Sequence, residues 1–327
     1  MYAASSASGS LSVSGIITVA NVSGSSGTLN VAGGSLTAAS LTNNDKVNFS
    51  AGAISLNSGA GTLTNNGQLK VTGGTSANPL VLSGNLSNAG TTTVDSGKAL
   101  TVTGSTSNAG TMTVNGGVTT GSFTNTGALA INSGAKLTTG AFSQTAGSTT
   151  LAGGTIDPPL PINVSGGSFG GFGTVQGNLN VSGANTILSV GPGTLTIEGF
   201  LTQTQGTFLD FTLNSKLEVT QGYDVEGVSF VFDFGSTAPV SPFLLSDFLL
   251  ADAGSSILTG DTFSYVDSLG VSHTLAYNDL TGYLSADNGG NGGNGGAAPE
   301  PGELALLLAA FGAMGFVGSR RRKTFRV

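Results

Sequence analysis

Side chains able to do chemistry are scarce in this chain, and their placement limits the reactions open to it. Its 327 residues include no Cys, a single His, and only 8% charged residues. Without cysteine there is no thiolate nucleophile, no disulfide and no thiolate metal ligand. His273 stands alone in Gly270-Val271-Ser272-His273-Thr274-Leu275, which excludes a multi-histidine metal site within one chain and suits an exposed strand face. Cleavage of polysaccharides needs clustered Asp or Glu, with Lys or Arg beside them in the lyases. Up to Asp157 the charged residues are Asp45, Lys46, Lys70, Asp95, Lys98, Lys136 and Asp157, widely spaced and without one Arg. The adjacent pair Asp45-Lys46 reads as a solvated corner. From Glu198 to Asp287 twelve acids face one base, Lys216, and being dispersed they read as a solubilising surface. No catalytic residue, metal ligand or cofactor is predicted, and the protein is expected not to be an enzyme. An acidic body also argues against nucleic acid, whose phosphates demand Lys and Arg. Gly171-Phe172-Gly173 with Gly177 looks like a dinucleotide loop, but no helix follows it.

One concentrated constellation remains, at the carboxyl end. Pro299-Glu300-Pro301 is followed by an uncharged apolar run from Leu304 to Val317 and then by Arg320-Arg321-Arg322-Lys323. As a helix at ~1.5 Å per residue the run spans roughly 22 Å, short of the ~30 Å hydrocarbon core, so it needs a thinned bilayer or snorkelling flanks. The basic cluster supplies such a flank. By the positive-inside rule it stays in the cytoplasm and leaves everything before Pro299 on the other side. The proline-flanked tripeptide is extended backbone, the form in which a protease meets its substrate.

The order of these parts resembles the PEP-CTERM sorting signal of exported bacterial proteins. The resemblance implies that Pro299, Glu300 and Pro301 form a sorting motif and that Arg320, Arg321, Arg322 and Lys323 form the stop. It implies recognition by an exosortase, a membrane-embedded protease that removes the helix and passes the protein to the cell surface or the exopolysaccharide matrix. An ordinary tail anchor is the alternative. Proteins of that family begin with a signal peptide, whereas Met1 to Ser6 has neither a basic nor an apolar region. The small residues Ala3 to Ala7 suit a start truncated near a cleavage site, which is the favoured expectation; export by another route is the alternative.

What carries this tail is read from periodicity. Asn65-Asn66-Gly67, Asn88-Ala89-Gly90, Asn108-Ala109-Gly110 and Asn125-Thr126-Gly127 each open a short alternating segment, such as Thr91-Thr92-Thr93-Val94 or Thr111-Met112-Thr113-Val114. Asn43-Asn44-Asp45 is an earlier copy and Gln144-Thr145-Ala146-Gly147 a later one. Recurrence at about twenty residues marks a solenoid. Alternation at period two marks strands with one buried face, and no copy holds a ten-residue helical stripe. Three short strands plus corners use up one repeat, which predicts an all-β parallel β-helix over residues 10–205, with an irregular β-sandwich as the alternative. Asn and Gly are expected at the corners because they tolerate left-handed backbone, and aligned Asn residues are expected to form amide ladders.

Pro158-Pro159-Leu160-Pro161 interrupts the pattern, since proline cannot donate to a ladder. Beyond it, Gly166-Gly167-Ser168-Phe169-Gly170-Gly171-Phe172-Gly173-Thr174-Val175 and Gly191-Pro192-Gly193-Thr194-Leu195-Thr196-Ile197 are similar to the last rungs of autotransporter passenger domains. Those are β-helical adhesins and surface scaffolds. That family's membrane β-barrel has no counterpart after residue 287. Residues 206–287 are rich in Phe and Tyr and read as late rungs plus a cap covering the open end of the helix. Residues 288–298 read as a flexible Gly/Asn linker, 299–327 as the sorting segment and single hydrophobic helix, and 1–9 as an N-terminal remnant. The combined expectation is an exported surface or matrix protein, processed at its tail. An adhesin gripping glycans or surfaces is the first alternative and a carbohydrate-active enzyme the second.

Overall fold

Strict alternation of inward apolar and outward polar residues lets each four-residue segment bury one face, and stacking the segments satisfies their backbone groups. A computed structural model describes residues 11–12, 16–19, 27–233, 242–251, 261–267, 269–278 and 281–286. Within them the chain is all-β and winds into a parallel solenoid of about ten turns. Each turn contributes one segment to each of three ladders. Face A runs through Thr28–Val31, Lys46–Phe49, Gln68–Val71 and Thr91–Val94, and face B through Ser35–Ala38, Ala53–Ser55 and Val81–Ser83. Face C runs through Ser40–Asn43, Thr62–Asn65, Asn85–Asn88 and Thr106–Asn108. The expected copies fall into register on face A, where Lys46, Gln68, Thr91, Thr111, Ala128 and Ser148 stand above one another.

The core is a set of columns along the axis. Leu41, Leu63, Leu86, Thr106, Phe123, Phe142 and Ile162 form one on face C. Nearly every member is at most 1% exposed, and burial stabilises the fold by roughly 1.5–3 kcal/mol per large aliphatic or Phe side chain. Phe123 stacks on Phe142 at 5.6 Å. Because neighbours along a column belong to successive turns, stability is propagated from rung to rung.

The prolines at 158–161 do not break this stack. Thr155–Asp157 still pairs with Lys136–Thr138 on face B, and Ile162–Val164 with Phe142–Gln144 on face C. The prolines occupy the corner between the two faces, where no ladder needs their missing N–H. Parallel pairing also continues past residue 205, with Phe208–Thr212 on Ser229–Asp233 and the latter on Thr262–Val266. Only then does the pattern change. Val266 to Ser264 pairs antiparallel with Ser272 to Thr274, and the strand Ser272–Asn278 pairs antiparallel with Tyr283–Ala286. The late rungs carry an aromatic spine into this cap, with Phe211 on Phe232 at 5.4 Å, Phe230 on Phe263 at 4.8 Å and Phe263 on Tyr277 at 5.0 Å.

Candidate functional site

The sorting motif Pro299, Glu300, Pro301, the apolar run, the basic cluster Arg320, Arg321, Arg322, Lys323 and the Gly/Asn linker all lie outside the described residues. Among the described residues no helix is long and apolar enough to cross a membrane. Nor, among them, do three or more His, Cys, Asp or Glu residues come together as a metal site would require.

The few charges of the body pair locally. Lys70 lies 3.4 Å from Asp95, Lys136 2.8 Å from Asp157 and Lys216 3.0 Å from Glu218, all at exposed or half-exposed surface positions where such pairs contribute about 0–1 kcal/mol. Asp45 accepts the backbone N–H of Gly27, so that corner is tied to the rung before it. His273 lies exposed on its strand, stacked on Tyr265 at 4.9 Å with Nε2 2.8 Å from Asp267 Oδ2. The His273 hydrogen bond, with help from the Val271 N–H, holds the Asp267 carboxyl below the usual range. Gly171 and Gly173 of the dinucleotide-like stretch belong to a strand, Ser168–Val175, packed between neighbouring rungs, and Gly177 lies in the bend after it.

Among the described residues, burial disfavours the anionic form of two carboxylates, Asp261 and, by the larger shift, Asp210. Burial, then the nearby charge of Asp233, pushes its pKa from 3.8 up to about 6, and its Oδ1 has no hydrogen-bond partner. The folded state therefore favours the protonated acid. Its contribution is fully present below pH 4 and is lost as pH rises through about 6. The group is half-buried, so solvent screening reduces the effect to about 1–2 kcal/mol. Asp210→Asn is expected to raise the urea midpoint at pH 8 and to raise it only about a third as much at pH 4.5. An equal gain at both values would show that ionisation is not the cause.

The most organised polar feature lies along face C. At its last strand position Asn43, Asn65, Asn88, Asn108, Asn125 and Gln144 are in register, and all are buried at 0–1% exposure. Each amide donates to the next one up: Asn43 to Asn65 at 2.6 Å, Asn65 to Asn88 and Asn88 to Asn108 at 2.7 Å, Asn108 to Asn125 at 2.9 Å. Each also donates across the corner to a face A carbonyl, as Asn88 does to Thr111 O at 3.0 Å. The ladder has built ends. Asn43 Oδ1 accepts the Asp45 N–H at 3.1 Å, and Gln144, one methylene longer, turns its Nε2 to the carbonyls of Gly166 and Ser168 at 3.0 and 2.9 Å. Val164 and Val181 then take over the column.

The expected amide ladder is therefore present, and the left-handed backbone expected at its corners is found at Gly147, with a φ of +70°, but not at the four corners before it. Gly67, Gly90, Gly110 and Gly127 have no positive φ, and neither do the ladder asparagines. Space requires these glycines. A Cβ on Gly90 would lie 2.1 Å from Gly67 O, and one on Gly110 2.2 Å from Gly90 O.

In front of the ladder, face C presents two outward rows. One holds Thr42, Thr64, Ser87, Ser107, Thr124 and Ser143, and the other Ser40, Thr62, Asn85, Ser105 and Ser122. These rows lie in the segments before each Asn-x-Gly corner, whereas the alternation singled out from the sequence lies after it, on face A. The signal was Ser40-Leu41-Thr42-Asn43, Thr62-Leu63-Thr64-Asn65 and Asn85-Leu86-Ser87-Asn88, a short motif immediately before each corner.

No family model matches the chain, and no curated protein or solved structure matches it either.

Proposed function

We propose that this chain is an exported bacterial surface or matrix protein, in which a β-solenoid stalk is carried on a tail that is sorted and cut. The observation that carries the reading is the order of parts after residue 298: Pro299-Glu300-Pro301, an uncharged run, then Arg320-Arg321-Arg322-Lys323. That order suits an exosortase-type membrane protease as partner and a transient single-pass anchor with its carboxyl end in the cytoplasm. The body suits a scaffold rather than a catalyst, because its charges are paired across rungs or dispersed. Exopolysaccharide is the partner such a location offers.

Expression of the full chain and of a version ending at residue 298 tests the anchor. The full chain is expected in the membrane fraction first and then as a mature form shortened at its tail. Glu300→Ala is expected to leave the tail attached, as read by intact mass. Equal membrane retention with and without the tail would count against the proposal. A second reading, an adhesin, is favoured by the outward rows of face C.

A further inference from the structure

We propose that face C is a water-ordering surface that docks onto ice. Three properties of the face restrict its occupant. First, it carries no charge from Thr18 to Asn180. Lys46 and Lys70 lie on face A, Lys136 and Asp157 on face B, and Asp45, Asp95 and Lys98 at corners. The partner it fits is therefore uncharged, in a chain whose formal net charge is −7. Second, no outward aromatic stands on face C between Thr18 and Asn180, Phe172 being off this face; the first on it is Phe200, 47% exposed. Small organic ligands occupy concave, largely apolar or aromatic sites, and protein interfaces have apolar cores. Face C provides neither. Third, its hydroxyls repeat in register along the axis, so the partner repeats as well.

The spacing selects the repeat. Rungs of a parallel sheet are ~4.8 Å apart. In tetrahedrally bonded water two successive hydrogen bonds of ~2.75 Å place second-neighbour oxygens about 4.5 Å apart. Waters held by the hydroxyls of adjacent rungs thus stand close to the second-neighbour distance of a tetrahedral lattice. The misfit of ~0.3 Å between adjacent rungs lies within the ~0.5 Å spread of ordinary hydrogen-bond lengths but accumulates along the axis, so the two rows engage one lattice together over about three rungs at a time. The buried amide ladder directly behind the rows fixes the rung register, so the hydroxyls are set before water arrives. Each water-mediated contact is weak. The advantage comes from many that engage together, and it disappears when geometry prevents simultaneous contact.

The test uses the purified full chain and does not depend on how it is exported, so its failure is separable from failure of the sorting proposal. Partition into slowly growing ice and inhibition of ice recrystallisation are measured for wild type, for Ser107→Tyr with Thr124→Tyr on face C, and for Thr91→Tyr with Thr111→Tyr on face A. All four positions are exposed, and unchanged circular dichroism and melting midpoints establish that the variants fold. Wild type and the face A variant are expected to enter ice equally. The face C variant is expected to need about tenfold more protein for the same inhibition, as when a multipoint contact loses simultaneous engagement. Exclusion of wild type from ice, or equal loss in both variants, would overturn the proposal. So would retention on neutral polysaccharide beads, abolished by the face C substitutions, with no effect on ice; the rows would then be a glycan surface.

Discussion

Replacing Asn88 by Ala is expected to destabilise the solenoid by about 3–5 kcal/mol, far more than a typical surface substitution. The side chain sits in the middle of the amide ladder and is linked on every side. Its Oδ1 accepts from Asn65 Nδ2 at 2.7 Å and from Thr92 Oγ1 at 2.9 Å, while its Nδ2 donates to Asn108 Oδ1 at 2.7 Å and Thr111 O at 3.0 Å. Truncation leaves two donors and two acceptors short of a partner in a place water cannot reach. Each orphaned buried group costs about 1–3 kcal/mol, softened here because Asn65 Nδ2 keeps its bond to Thr91 O at 3.0 Å. Asn66→Ala is the control. Asn66 neighbours a ladder residue in sequence, but its amide is exposed and bonds Asn44 Oδ1 at 2.8 Å, so its loss is expected to cost under about 1 kcal/mol. Urea denaturation reads both values. Hydrogen exchange should place the Asn88→Ala weakness in the rungs around residues 65–111, because stability in a solenoid is held locally. Equal costs for the two substitutions would mean that the ladder contributes no more than a surface contact.

The rung length, the period-two strands and the ladder itself were legible in the sequence because each is a local pattern repeated many times. Asn65, Asn88, Asn108 and Asn125 recur ahead of segments that alternate, and that recurrence is what stacking in register requires. Several features could not be read this way, for distinct reasons. The role of Gln144 as a terminator depends on one extra methylene reaching carbonyls of the following rung, a distance no pattern contains. Pro158 to Pro161 look like a break until the strands on both sides are seen to pair, because only the stacked structure distinguishes a corner from a ladder position. Asp210 sits in an alternating strand like any outward residue, and nothing in Phe208-Leu209-Asp210-Phe211 announces that its carboxylate is half-buried beside Asp233. Face C was visible as a motif but was masked by Asn-x-Gly, whose more conspicuous spacing drew the register to the segments after each corner. The candidate sorting site is the opposite case. Its residues are contiguous and need no fold to be recognised.

The corner glycines separate two physical explanations that sequence cannot tell apart, and a pair of substitutions separates them in measurement. Gly97 has a φ of +69° with nothing within 4 Å of where a Cβ would stand, whereas Gly110 has no positive φ and a Cβ there would lie 2.2 Å from Gly90 O. Conformation is the constraint at Gly97 and space at Gly110. Gly97→Ala is expected to cost about 1–2 kcal/mol, the penalty of left-handed backbone for an L-residue. Gly97→Asn should recover much of it, since Asn tolerates that region. Gly110→Ala is expected to cost about 3–5 kcal/mol, because the new methyl meets backbone and cannot rotate away. Room can come only from lifting one rung off the next. That strains the N–H bonds of Ala109 and Gly110 to Asn88 O at 2.8 and 3.0 Å, the N–H bond of Thr111 to Gly90 O at 2.8 Å, and the amide contact between Asn88 and Asn108. Gly110→Asn should be at least as damaging as Gly110→Ala, the reverse of the ranking at Gly97. If Asn rescues both positions alike, the corners are a matter of backbone conformation after all, and the close approach of successive rungs does not set the residue at Gly110.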